Sequence, residues 1–176
     1  MRGLQERRPV TALRTGTASP STEGRRADGW RNVALGAGIA AVVVAADQLS
    51  KWWAVERLSR GTVHVVGPLD FELSYNTGAS FSLFTGATVW VALIAAALVA
   101  GLVVLVWRAP TRGRAAALGL VVGGALGNLA DRAFRGHHGA VVDFVALHVW
   151  PTFNLADAAI VVGGAFVVIS LWRTRR

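Results

Sequence analysis

Residues 87–107 read ATVWVALIAAALVAGLVVLVW, an apolar run of 21 residues with no charged side chain. As a helix such a run rises about 32 Å, which matches the roughly 30 Å hydrocarbon layer of a bilayer. Its valines would suit a strand, but lipid requires every backbone N–H and C=O to be paired within the segment, and a helix does that alone. Composition agrees. Apolar residues make up 53% of the 176-residue chain and charged residues 16%, against about 25% charged in soluble domains. Counting glycine and leaving out the single tyrosine gives about 64% apolar, against roughly 45–50%. A soluble globule of this size cannot hide that much apolar side chain. The chain reads as a membrane protein.

Three further apolar runs flank this one, at about 33–53, 115–130 and 154–172. The expected architecture is therefore all-α, with four transmembrane helices in one domain over residues 33–172. Residues 1–32 carry seven arginines among Thr, Ser, Gly and Pro, a composition that builds no core and reads as a disordered tail. That stretch is too long and too charged for the start of a signal peptide, so the run after it is expected to be retained. Residues 173–176 form a short basic end. Gly119, Gly123 and Gly127 recur every fourth residue, a face on which another helix can approach closely.

Arg108, Arg112 and Arg114 in the short loop, with Arg173, Arg175 and Arg176, share a side with the seven tail arginines. The opposite side keeps Lys51, Arg57, Arg60, Arg132 and Arg135. The positive-inside rule then puts both termini in the cytoplasm. The formal charge of +8 is explained by this asymmetry, and no nucleic-acid partner is expected. Cysteine is absent, which removes disulfides, thiolate nucleophiles and Cys-ligated metals.

Depth is informative. Ala158–Trp172 spans roughly 22 Å of helix, so Asp157 lies several Å below the outer edge of the hydrocarbon layer. The same count puts Asn128 and Asp131 of the third run, and Asp47 of the first, near that level. Ionisable groups inside a bilayer mark a functional site by default. Several chemistries remain open at this stage. Asp47 and Lys51, spaced i,i+4, suit an ion pair on one helix face. Asp131 can pair with its neighbour Arg132. Asn128 with Asp131, and Asn154 with Asp157, are spaced for hydrogen bonds on one face. Asp143 and Asp157 have no adjacent cation, and two such carboxylates brought together share a proton, serving as general base and general acid. His137 and His138 with Asp131 or Asp143 would suit a metal, but no H-E-x-x-H helix is present. Gly78-Ala79-Ser80-Phe81 resembles an intramembrane serine motif, yet no histidine lies in any span. Acids coupled to proton movement in a small four-span transporter are the rival outside hydrolysis.

Taken in order, D-Q-x-x-K (47–51), N-x-G-x-S-F (76–81), G-N-x-x-D-R (127–132), V-V-D-F (141–144) and F-N-x-A-D (153–157) resemble lipoprotein signal peptidase, signal peptidase II. The resemblance implies an intramembrane aspartic peptidase of the bacterial inner membrane. Such a peptidase cuts signal peptides from prolipoproteins just before a diacylglyceryl-modified cysteine, at the outer leaflet. It implies catalytic roles for Asp143 and Asp157, with Asp47, Lys51, Asn76, Gly78, Asn128, Asp131, Arg132 and Asn154 supporting the site or binding substrate. No metal or organic cofactor is implied. Membrane lipid is the surrounding partner, the cyclic peptide globomycin the expected inhibitor, and a monomer the expected state. The family fold adds to the four helices a small extracytoplasmic β-rich cradle, here from 63–84 and 140–145, and a short outer helix. Two links depart from the family form. Gly136-His137-His138-Gly139 lengthens one, and only 13 residues separate Asp143 from Asp157, where Trp150-Pro151 is expected to turn the chain back.

Overall fold

The computed structural model describes residues 22–77, 87–136 and 139–174. Helix α1 runs Thr22–Leu58, strand β1 Val63–Val66, β2 Leu69–Asn76, α2 Ala87–Trp107, α3 Arg112–Phe134, β3 Val141–Leu147, β4 Trp150–Phe153 and α4 Leu155–Thr174. Among the described residues three helices are long and apolar enough to cross a membrane, at Gly29–Leu58, Arg112–Phe134 and Leu155–Arg173. Helix α2 is helical over the whole uncharged run of 21 residues. Side chains such as Val42, Val161 and Phe166 point outward, the arrangement lipid permits and water penalises.

Helix α1 begins at Thr22, so residues 22–32 are helical where composition placed a tail. Two contacts hold this early stretch. Asn32 is buried and donates from Nδ2 to the Ala109 carbonyl (3.0 Å), and Trp30 packs edge-on against Trp107 at 4.5 Å between ring centroids. Tertiary anchoring overrides the local composition. The rest of the expected tail, residues 1–21, lies outside the described residues, as do residues 78–86, 137–138 and 175–176.

Helix α3 lies at the centre, packed against α1, α2 and α4. The glycine stripe explains how. Gly119 faces the Gly36 backbone of α1, and Gly123 faces Ala40 and Val43. On the other side Gly124 meets the Ala156 carbonyl of α4. A methyl group at Gly119 would lie 2.6 Å from the Gly36 carbonyl oxygen, well inside van der Waals contact and against backbone that cannot rotate away. Gly119→Ala is therefore expected to destabilise by about 1–3 kcal/mol, the usual cost of overpacking. Gly101→Ala on α2, where the space is open, should be neutral or slightly stabilising. Thermal unfolding of the two variants in detergent checks this.

The strands form one antiparallel sheet in the order β1-β2-β3-β4, with α2 and α3 inserted between β2 and β3. Strand β3 is inner and nearly all buried, while β1 is an exposed edge. Trp53 of α1 packs edge-on against Phe71 of β2 (5.5 Å) and Phe144 of β3 (6.4 Å). With Ala54 and Leu58 these rings fix the sheet to the end of α1. One expectation about the chain's turns needs correction. Residues 150–153 are a strand, paired through Val145↔Phe153 and Leu147↔Trp150. The reversal falls at His148-Val149, and Pro151 sits in an edge strand, where a missing N–H is harmless. No further short helix occurs among the described residues.

Candidate active site

The entry of α4 organises the site. Asn154 is its N-cap: its Oδ1 accepts from the Asp157 backbone N–H (2.9 Å), while Asp157 Oδ2 accepts from the Asn154 backbone N–H (3.2 Å). This is a reciprocal capping box with an aspartate at the third position. The negative side chain also lies at the positive end of the helix dipole. The other Asp157 oxygen accepts from Asn128 Nδ2 of α3 (2.8 Å).

Asp143 reaches the same point from β3. Its Oδ1 accepts from Asn154 Nδ2 (2.6 Å) and its Oδ2 from Asn76 Nδ2 (3.1 Å). Register makes the second contact possible. Ser74 lies opposite Asp143 and Asn76 opposite Val141, so Asn76 is a diagonal neighbour on the same face. Asn154 therefore touches both aspartates, one through its amide side chain and the other through its backbone. Asp143 is 2% exposed, Asp157 half-buried and Asn76 exposed, so the pair opens on the Asp157 side. Burial, reinforced by the nearby charge of Asp157, pushes the Asp143 carboxyl up to about 6.

Beneath this pair lies a saturated ionic layer. Lys51 Nζ donates to Asp47 Oδ2 (2.8 Å), Asn128 Oδ1 (2.9 Å) and Asp131 Oδ2 (3.0 Å), one acceptor for each ammonium proton. All three charged side chains are fully buried. Asp47 also accepts from the Ala156 backbone N–H (3.0 Å), tying α1 to the start of α4. Asp131 accepts from the Val142 backbone N–H (3.0 Å), tying α3 to β3. Arg135 Nε donates to Asp131 Oδ1 (2.9 Å), and Gln48 bridges both acids through Nε2. Lys51 and Arg135 thus balance Asp47 and Asp131. Asp143 and Asp157 have no ion-pair partner among the described residues.

The geometry brings together Asp47, Lys51, Asn76, Asn128, Asp131, Asp143, Asn154 and Asp157. The Asp47–Lys51 pair forms as its spacing indicated. Asp131 pairs with Arg135, not with Arg132, because i,i+4 puts the two on one helix face; Arg132 donates instead to the Asn128 carbonyl (3.2 Å). Asn128 turns to Asp157 of α4 and away from its own i,i+3 acid. Gln48 and Arg135 were not singled out from sequence, although the Arg135 spacing from Asp131 carried the signal. Gly78, Ser80, His137 and His138 lie outside the described residues. Among those described, no group of histidines and acids could hold a metal. His64 and His148 are committed to Asp70 on the exposed part of the sheet (2.6 and 3.0 Å), and these hydrogen bonds hold the Asp70 carboxyl below its ordinary value.

The family model described as signal peptidase (SPase) II matches residues 39–173, which takes in all of these described residues. The chain belongs to the signal peptidase II family. It is accordingly a membrane-embedded peptidase. It is 43% identical over 136 residues to a lipoprotein signal peptidase of Rhodococcus jostii, covering 74% of this chain and 69% of the relative. A Mycobacterium leprae lipoprotein signal peptidase is 40% identical over 144 residues (79% and 72% covered). One from Mycobacterium tuberculosis is 37% identical over 171 residues (89% and 84% covered). Among solved structures, a bacterial membrane enzyme determined in meso at 1.9 Å resolution superposes with a TM-score of 0.70 at 26% identity, covering 77% of this chain and 91% of that one.

Proposed function

We propose that this signal peptidase II is an aspartic endopeptidase that removes signal peptides from diacylglyceryl-modified bacterial prolipoproteins, cutting before the lipidated cysteine. The observation that carries the reading is Asn154, which joins two carboxyl groups left without a cation while the neighbouring acids are neutralised. Two such groups in a poorly solvated site share one proton. Asp143, the more buried, holds it; Asp157, on the open side, is the ionised partner. Asp157 takes a proton from water as the water oxygen attacks the scissile carbonyl carbon, and Asp143 donates its proton to the carbonyl oxygen. The gem-diol then collapses: Asp143 recovers a proton from a hydroxyl, the C–N bond breaks, and Asp157 passes its proton to the leaving amine. The acid and the base both come from the chain, so this mechanism calls for no metal or organic cofactor.

Four spans, with α2 as the second, and cytoplasmic termini would place the pair just below the outer surface of the inner membrane. A signal peptide lying across the bilayer presents its cleavage site there, and the diacylglyceryl chains stay in the same leaflet. Asn76, Asn128 and Asn154 orient the two aspartates; Lys51, Asp47, Asp131 and Arg132 brace the elements that carry them. Gly78, which belongs to the same family motif as Asn76, would take part in substrate binding. The enzyme acts as a monomer and is blocked by globomycin. A proton-coupled transporter would spread its acids along a path through the bilayer, whereas Asp47, Asp131, Asp143 and Asp157 belong to one hydrogen-bonded cluster.

The test is cleavage of a diacylglyceryl-modified prolipoprotein by the purified protein, beside the same substrate without its lipid. Only the lipidated form should be cut. The kcat/KM profile should be bell-shaped. A second proton on the pair removes the base at low pH, and Asp143 loses its proton as pH rises through about 6. Lipid-independent cutting, or an alkaline limb with no acidic one, would overturn this reading.

A further inference from the structure

Of the five basic residues on the site's side of the chain, three are already committed. Lys51 and Arg135 neutralise buried acids, and Arg132 is bonded to the Asn128 carbonyl. The remaining two, Arg57 and Arg60, pair with no carboxylate among the described residues. Both are exposed, and both line one cavity of about 330 Å³ with Trp52, Trp53 and Glu56. Trp53 is a rigid wall, held edge-on by Phe71 and Phe144; Trp52 is 64% exposed at the rim.

The depth of this cavity says what it meets. Arg57 lies ten residues beyond Asp47 on α1, about 15 Å farther along the helix axis. With Asp47 several Å beneath the hydrocarbon edge, Arg57 falls in the head-group layer, where Trp side chains favour the interface. Arginines are sparse on this side by the positive-inside rule, so two of them sharing a cavity need a counter-charge. The cavity's two guanidinium groups and the Glu56 carboxylate leave one net positive charge. That matches the single negative charge of a phosphodiester whose head group has no cation of its own. Guanidinium groups suit phosphate oxygens through paired N–H donors, and the indole faces suit the glycerol and upper acyl carbons.

We propose that Arg57 and Arg60, with Trp52 and Trp53 as walls, bind the head group of an anionic phospholipid of the outer leaflet. The proposal rests on the orientation given under the proposed function, and it seats a structural lipid beside the sheet that carries Asp143. The test uses the purified full chain in detergent with phosphatidylglycerol or phosphatidylcholine added, counting retained lipid by native mass spectrometry. Wild type should retain phosphatidylglycerol in preference, and Arg57→Gln/Arg60→Gln should lose that preference by about tenfold or more, as expected when two arginine–anion attractions disappear. Absence of preference in wild type, or its survival in the double variant, would overturn the inference. Orientation is tested separately. The chain has no cysteine, so Ser59→Cys gives one thiol for a membrane-impermeant maleimide applied to intact spheroplasts. Labelling there supports the orientation and leaves the lipid result to decide the site. Labelling only after permeabilisation overturns the orientation itself, whatever lipid is retained.

Discussion

Asp143→Asn and Asp157→Asn are each expected to lower the cleavage rate of a lipidated prolipoprotein by roughly three orders of magnitude, within the range for loss of a positioned acid or base. The substitutions keep size and one acceptor oxygen each, and at Asp143 a rotated Asn76 amide can accept from the new donor. Removing one of two neighbouring carboxylates in a poorly solvated site also removes their repulsion. The unfolding midpoint of Asp143→Asn should therefore be no lower than that of wild type, which separates lost chemistry from lost structure. The double variant should be about as inactive as either single one, because the two groups act as a unit. Cleavage within tenfold of wild type by either folded variant would break the assignment and direct attention to Asp131.

The second large effect concerns Lys51. Lys51→Met is close in length and removes the ammonium that neutralises Asp47, shares Asp131 and anchors Asn128. The gain of an apolar side chain is small against two acids left in a site with no solvent access. Breaking a buried pair from one side costs about 3–5 kcal/mol, which is much of a typical domain's stability. The expected result is a steep fall in the unfolding midpoint or failure to accumulate in the membrane. Asp47→Asn/Lys51→Met supplies the control. It deletes the charge that the single variant strands, and Asp131 keeps Arg135, so a substantial part of the stability should return. A Lys51→Met protein within about 1 kcal/mol of wild type, measured by reversible denaturation in mixed micelles, would show that the ionic layer is not what joins these elements.

Much of this arrangement could be read before any coordinates. The uncharged run at 87–107 and the Asp47–Lys51 spacing are local signals, and local geometry carries them directly into α2 and into an ion pair. The Gly119–Gly123–Gly127 repeat likewise gave the face of α3 that α1 meets. The failures share a cause, which is competition from residues distant in sequence. Asn128 has an acid three positions away, yet α4 delivers Asp157 and takes its amide. Arg132 is adjacent to Asp131, but adjacent residues point to different sides of a helix, and Arg135 returns to the same side one turn later. Strand β4 was hidden because Trp150-Pro151 suggests a turn, whereas β3 supplies a partner that tolerates proline at the edge. The early start of α1 depended on Asn32 finding a carbonyl 77 residues away. No single-sequence pattern encodes these meetings.

The N-cap at Asn154 also bears on timing. It and Asp157 open α4, while Asp143 precedes them by a short hairpin. A polypeptide whose α4 has not yet been inserted holds at most half of the proposed catalytic pair in place. It stays chemically silent toward neighbouring translocated chains until α4 has been threaded and wound. The same helix turn that completes the bundle thus arms the protease, which makes assembly its own safety catch.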